Sequence, residues 1–173
     1  KGIHWMRLTA DLRAGHGSMI HEDNAVIEIA KAVANIGGHQ WPMRRTKSVD
    51  ELLEKCAEIL NQNLDLNSED DVTEFVKRLG PVSRLIGATL RNTANPTRLD
   101  AGYKENVIPQ TASAVIDGRF LPGFEDEFDQ TIRNLIGNIV SIETINRDIA
   151  LENSFEGALI QNMIQSKIGR AHV

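Results

Sequence analysis

Three short segments carry side chains that could do chemistry: Ala14-Gly15-His16-Gly17-Ser18, Asn106-Val107-Ile108-Pro109 and Asp117-Gly118-Arg119-Phe120-Leu121-Pro122-Gly123. They offer an imidazole, a carboxamide and a guanidinium, each at a turn or a strand end. An anionic substrate needs such a set: a planar cation that forks onto a carboxylate, and neutral donors that meet a developing oxyanion. No base, nucleophile or cluster of metal ligands accompanies them in the sequence. The expected role is gripping a substrate whose reaction is carried out elsewhere.

Each segment also has a plainer reading. His16 sits between two glycines, which let a backbone turn sharply and let a ligand come close, but a loop histidine can have no role at all. His21 lacks that glycine frame, and His4 and His39 read as structural. No two histidines have ligand spacing on one helix face, and Cys56 is the single cysteine. The chain therefore offers no disulfide, no thiolate metal site and no zinc site of its own. Asn106 could cap its own turn ahead of Pro109 at a strand start. Arg119 could pair with Asp117 or Glu125 on the surface. Gly15-His16-Gly17-Ser18 has neither the lysine nor the glycine order of a phosphate loop. The run Glu125-Asp126-Glu127 suits the positive end of a helix.

The elements that must position these groups follow from periodicity. Ile3 to Ala10 reads as a strand. After the Gly15 and Gly17 turn, Asp23 or Asn24 caps a helix with Val26, Ile29, Ala30 and Val33 on one face, stopped at Gly37-Gly38. Ser48 to Leu60 reads as a second helix, with Ser48 as N-cap and Glu51 completing a capping box. Asn61 to Asp71 is polar and acidic. Val72 to Leu79 suggests a third helix ending at Gly80-Pro81, followed by a short helical piece from Val82 to Ile86. Ala88 to Ala94 is expected to be a strand, Asn95-Pro96 a turn, and Asp100 to Asn106 a loop. Thr111 to Arg119 alternates Ala112, Ala114 and Ile116 against Ser113, Val115 and Asp117, as a half-buried strand does. Phe124 to Gly137 is a helix, Ile139 to Ile145 a strand, and Leu151 to Gln165 a further helix. With Met43 to Gly87 set aside as a helical insertion, the order is β-α-β-β-α-β. That is the ferredoxin-like split arrangement, an α+β fold with one antiparallel sheet and two helices on one face.

Composition sets the outer limits. The chain has 173 residues, 41% of them apolar and 25% charged, enough for one core and a small appendage. A net charge of -5 argues against a nucleic-acid partner, which usually meets a basic stripe. No apolar run has membrane-spanning length, and a cytoplasmic setting is expected. The chain opens on Lys1 and is expected to be a fragment. Residues 168–173 match the translation of a short sequencing adapter and are expected to be a non-native tail.

Taken in order, the three motifs resemble the lid, or dimerisation, domain of the zinc aminoacylase and carboxypeptidase family, numbered twenty among metallopeptidases. That family includes acetylornithine deacetylase, succinyl-diaminopimelate desuccinylase and carboxypeptidase G. The resemblance rests on a glycine-flanked His-Gly-Ser before Asp23-Asn24-Ala25, then Asn-Val-Ile-Pro, then Asp-x-Arg-x-x-Pro-Gly. Together with the helical insertion, Leu90-Arg91-Asn92-Thr93 and Ala101-Gly102-Tyr103-Lys104 resemble the longer, carboxypeptidase S-like branch. The resemblance implies a lid over residues 1–147, with its insertion at about 43–87, and a return toward a catalytic domain over 148–167. It implies two zinc ions held by that other domain, a homodimer formed through the lid, and an amide-bearing carboxylate substrate such as an N-acyl amino acid or peptide. It also implies residue roles: His16 meets the oxyanion in the neighbouring subunit's site, Asn106 helps hold the substrate, and Arg119 grips its carboxylate. On that basis the chain alone is expected to be inactive. A non-catalytic ferredoxin-like binding module, or a relative that has lost its metals and only dimerises, are the rival readings.

Overall fold

The computed structural model describes residues 1–152 together with Gly157, Ala158, Asn162 and Ser166. In chain order the elements are β1 (Gly2–Asp11), β2 (Gly15–His16), α1 (Ala25–Gly38), α2 (Lys47–Leu60), α3 (Glu69–Arg78), a 3-10 turn (Gly80–Val82), α4 (Ser83–Thr89), β3 (Thr93–Ala101), β4 (Val107–Ile108), β5 (Thr111–Phe120), α5 (Glu125–Ile136) and β6 (Ser141–Asp148). They form two compact units. One comprises Lys1–Arg44 and Arg91–Leu151; the other contains Arg45–Leu90 and the chain from Glu152. The segment expected to be helical from Leu151, and the expected tail 168–173, lie outside the described residues apart from isolated positions.

In the first unit the sheet order is β3-β5-β1-β6 with every neighbour antiparallel. That is the expected α+β split arrangement, and alternation explains it. Met6, Leu8 and Ala10 on β1 and Ala112, Ala114, Ile116 and Phe120 on β5 all point to one face. There they meet Ile29, Ala32 and Ile36 of α1 and Phe128, Ile132 and Ile136 of α5. Trp41 stacks on Phe128 with ring centroids 5.1 Å apart. Each large side chain buried here contributes about 1.5–3 kcal/mol relative to exposure. Asn24 closes the start of α1, its Oδ1 accepting from the Val26 N–H at 2.9 Å.

His4 proves structural, as expected. It is buried on the helix-covered face, with Nδ1 3.0 Å from Asp129 and Nε2 3.0 Å from Thr144 Oγ1. Burial pushes its pKa below the ordinary histidine value, against the pull of the Asp129 hydrogen bond.

Several boundaries differ from the periodicity reading. The stretch expected as a strand over Ala88 to Ala94 is split: α4 runs to Thr89, and β3 starts only at Thr93. Asn95-Pro96 is no turn but part of β3, whose register shifts between Pro96 and Arg98. Proline is tolerated there because β3 is, among the described residues, an edge strand paired only with β5, and a bulge needs no donor from it. The closing strand begins at Ser141 rather than Ile139.

In the second unit, Ser48 does not cap α2. The helix begins at Lys47, and the Ser48 N–H and Oγ donate to Glu152 Oε1 at 3.2 and 3.1 Å. Glu51 pairs with Lys47 at 3.6 Å instead of completing a capping box. Helix α3 starts earlier than its apolar pattern suggests, because Ser68 Oγ accepts from the Asp71 N–H and three acidic residues favour its first turn. Leu53, Ala57, Val72, Phe75, Val76, Ile86 and Leu90 are buried in this unit.

Gly118, between Asp117 and Arg119, shows how tightly β5 is sandwiched. A Cβ at this position would stand 2.6 Å from both the His4 carbonyl oxygen and the Phe128 ring. Gly118→Ala is expected to destabilise the fold by about 1–3 kcal/mol through overpacking. Gly38→Ala, where a Cβ meets nothing within 4 Å, should change little. Thermal melts of the two variants compare them directly, and equal melting temperatures would contradict this packing.

Candidate functional site

His16 lies on a two-residue ladder in which Gly15 faces Ile108 and His16 faces Val107. This ladder ties the loop after β1 to the loop before β5, so the first two motifs meet. The Gly17 N–H donates to the Asn106 carbonyl at 2.9 Å. The expected turn is made without a positive φ at Gly15 or Gly17: across Gly17 and Ser18 the Met19 N–H donates to the His16 carbonyl at 2.9 Å. Their value is close approach. A Cβ on Gly15 would collide with the His21 imidazole, and one on Gly17 would lie 3.4 Å from the Asn106 backbone. His21, which periodicity left without a role, donates from Nε2 to the His16 carbonyl at 3.3 Å and buttresses the loop.

The hydrogen bonds assign the tautomer of neutral His16. Ser18 presents a backbone N–H, which can only donate, 3.3 Å from His16 Nδ1, and its hydroxyl lies 2.8 Å from the same atom. Nδ1 is therefore the acceptor, and the proton resides on Nε2. The Asn106 carboxamide lies 3.4 Å from Nε2. The atom facing Nε2 is the carboxamide nitrogen Nδ2, so with the proton on Nε2 two N–H groups stand next to each other there. An imidazole N–H and an amide N–H thus sit side by side at an open surface. Beside His16 the same loop forms a cleft of about 510 Å³, lined by Arg13, His16, Met19, Ile20, His21 and Asp23 among others. Met19 and Ile20 are 66% and 99% exposed, an apolar rim beside two polar donors.

Arg119 occupies the other end of β5, on the sheet face not covered by helices. Its Nε and Nη2 donate to the two Asp117 oxygens at 2.6 and 3.1 Å. Of the two surface partners open to it, Asp117 is the one it takes. That pairing holds Arg119 above the ordinary arginine value, so it is a permanent cation. The Lys1 ammonium lies close by, donating to the Arg91 carbonyl at 2.7 Å and to Thr93 Oγ1 at 3.2 Å. Thr93 is the register partner of Arg119. Burial, and then the charge of Arg119, lower the Lys1 pKa to about 8, with Asp117 acting in the opposite sense.

The structure therefore unites two of the three expected groups and separates the third. Thr111 pairs with Asp11 and Arg119 with Ile3. Eight strand steps at about 3.3 Å each put Arg119 roughly 26 Å from the His16 end. Among the described residues no group of three or more His, Cys, Asp or Glu side chains is placed to hold a metal ion.

Fold and site together define a ferredoxin-like α+β domain with hydrogen-bond donors at one end of its sheet and a fixed cation at the other. A family model for the peptidase dimerisation domain matches residues 1–141, and the chain belongs to that family. The N-fatty-acyl-amino acid synthase/hydrolase PM20D1 of Xenopus tropicalis is 26% identical over 164 residues, covering 90% of this chain and 30% of that protein. The chain thus spans about a third of the length of the curated relative it matches. A M20 family metallo-carboxypeptidase from Sulfolobus solfataricus superposes with a TM-score of 0.57 at 20% identity, over 96% of this chain and 48% of that one. A hydantoinase/carbamoylase family amidase from Burkholderia ambifaria gives 0.54 at 13% identity, over 98% and 33%. At these identities the structural likeness is one of fold. No helix among the described residues is long and apolar enough to cross a membrane.

The tautomer assignment is directly measurable. Nitrogen-15 spectra of neutral His16 should show the proton on Nε2, and Ser18→Ala should mix the two tautomers by removing one of the two donors to Nδ1. A wild-type imidazole protonated at Nδ1 would contradict the network.

Proposed function

We propose that this chain is the lid of a dimeric metal-dependent hydrolase that cleaves an amide bond in a carboxylate-bearing substrate, with His16, Asn106 and Arg119 as its contribution to the site. The observation that carries the reading is the pairing of the His16 imidazole and the Asn106 carboxamide, 3.4 Å apart and facing solvent. His16 Nε2–H is the donor for the oxyanion of the tetrahedral intermediate, where a preorganised neutral donor is worth most. The Asn106 NH2 holds the substrate beside it. Arg119 forks onto the carboxylate. The two zinc ions and the water they would activate belong to segments outside this chain, and the roles assigned here are those of its own residues.

The separation of roughly 26 Å gives the reading its geometry. In an N-acyl amino acid the scissile carbonyl and the carboxylate are about one residue apart, near 3.8 Å in chain length. One copy cannot place His16 and Arg119 on such a substrate together. Two copies related by a two-fold axis can, with His16 and Asn106 entering the site to which the partner brings Arg119. Exposed surface supports such pairing: among the described residues the outer edge of β3 has no strand partner, Leu99 on it is exposed, and so are Val26 and Ile27 on α1.

The substrate class draws on two further points. The Xenopus relative is named for N-fatty-acyl-amino acids, which join an apolar acyl group to an amino acid. The apolar rim of Met19 and Ile20 next to His16 suits such an acyl group.

In the complete hydrolase, His16→Ala should lower kcat by about 10²–10³-fold with little change in KM, the loss typical of an oxyanion donor. Arg119→Ala should raise KM for carboxylate substrates by about 10-fold or more while leaving kcat nearly intact. Steady-state kinetics of the two variants test the assignment, and unchanged constants in both would sink it.

A further inference from the structure

A guanidinium has five N–H donors in a fixed plane, so what Arg119 can grip depends on which of them are already committed. Asp117 and Arg119 are alternate residues of β5 and share the face not covered by helices. On β1, Trp5 stands opposite Asp117 and Ile3 opposite Arg119. The Trp5 indole N–H donates to Asp117 Oδ1 at 2.9 Å, and the same oxygen accepts from Arg119 Nε at 2.6 Å. Asp117 Oδ2 accepts from Arg119 Nη2 at 3.1 Å. The Trp5 ring centroid lies 6.0 Å from the guanidinium carbon, a diagonal cross-strand contact that limits sideways swing. Beneath the pair, Gly118 is pressed against the His4 carbonyl and Phe128, so the backbone between the two side chains has little room to shift.

We propose that Asp117, itself held by Trp5, is a positioning residue for Arg119. It occupies the Nε–Nη2 edge of the guanidinium and leaves the Nη1 edge for the incoming carboxylate. Among the described residues Nη1 has no hydrogen-bond partner, and the Nη1–Nη2 edge still carries the parallel pair of donors that a carboxylate fork needs. Asp117 is therefore a splint on the arginine rather than a competitor for the substrate's place. The proposal rests on the reading of Arg119 as the carboxylate grip. It adds the residues that aim the grip, and it makes Trp5 the anchor of a chain Trp5–Asp117–Arg119 that ends at the substrate.

The test uses the complete hydrolase and two matched substrates, an N-acyl amino acid and its C-terminal carboxamide, which lacks the negative charge. Asp117→Asn should raise KM for the carboxylate substrate by about 5–10-fold, with kcat within about twofold, and should leave the carboxamide's constants unchanged. Trp5→Phe should shift the same constant in the same direction but less, and Glu125→Gln, outside the chain of contacts, should not shift it. In spectra of this chain, the Arg119 Nε–H signal should move toward that of a free arginine in Asp117→Asn while the melting temperature stays close to wild type. The positioning role is overturned if Asp117→Asn leaves KM for the carboxylate unchanged, or if both substrates suffer equally, as a structural defect would cause. An Arg119→Ala variant with wild-type KM would instead overturn the grip itself, and the positioning role with it.

Discussion

Strand β5 sets the terms for everything else in the domain. It is one of the two inner strands of the sheet, paired on one side with β1 and on the other with β3, so its extended length can neither shorten nor bend appreciably. The loop carrying Asn106 feeds one of its ends, and Arg119 lies at the other. A substrate small enough to bridge an amide carbonyl and a carboxylate across one residue cannot reach both ends of one copy. Under the proposed function, the pairing of two copies is the arrangement that would let one domain type supply both an oxyanion donor and a carboxylate grip.

At each end of β5 the functional group is held by ordinary neighbours in an oriented way. At the Asn106 end, the backbone N–H of Ser18 fixes the accepting nitrogen of His16 and so exposes the donating one. Absent side chains on Gly15 and Gly17 make room for His21 and for the Asn106 backbone. At the Arg119 end, Asp117, itself held by the Trp5 indole N–H, takes up one edge of the guanidinium. In both places the orientation is built from hydrogen bonds within the chain itself, the kind of preorganisation that the proposed roles require.

Much of this was legible in the sequence, for identifiable reasons. Alternation along Thr111 to Arg119 and the helical spacing of Phe128, Ile132 and Ile136 give the inner strand and one covering helix, because each has one buried face. Asn24 could be read as a cap from its type and place. What escaped depended on context. Pro96 punctuates a local reading as a turn, yet an edge strand accommodates it. Glu69, Asp70 and Asp71 look like loop residues, although they favour the start of α3. The Trp5–Asp117 bond joins residues 112 positions apart, and no periodicity signals it. The tautomer-setting role of Ser18 requires knowing that its N–H points at Nδ1. Nor could spacing in the sequence show that His16 and Asn106 converge while Arg119 does not.

The central claim, that one site draws on two copies, is tested most directly by mixing inactive variants. Complete His16→Ala and Arg119→Ala chains, each severely impaired alone, are unfolded together, refolded as mixed dimers and assayed at low carboxylate-substrate concentration. Statistical pairing makes half the dimers mixed, and each mixed dimer contains one site with an intact His16 from one chain and an intact Arg119 from the other. The account predicts recovery of about a quarter of wild-type activity. Activity no higher than that of the separate variants, with mixed dimers shown to form, would contradict it.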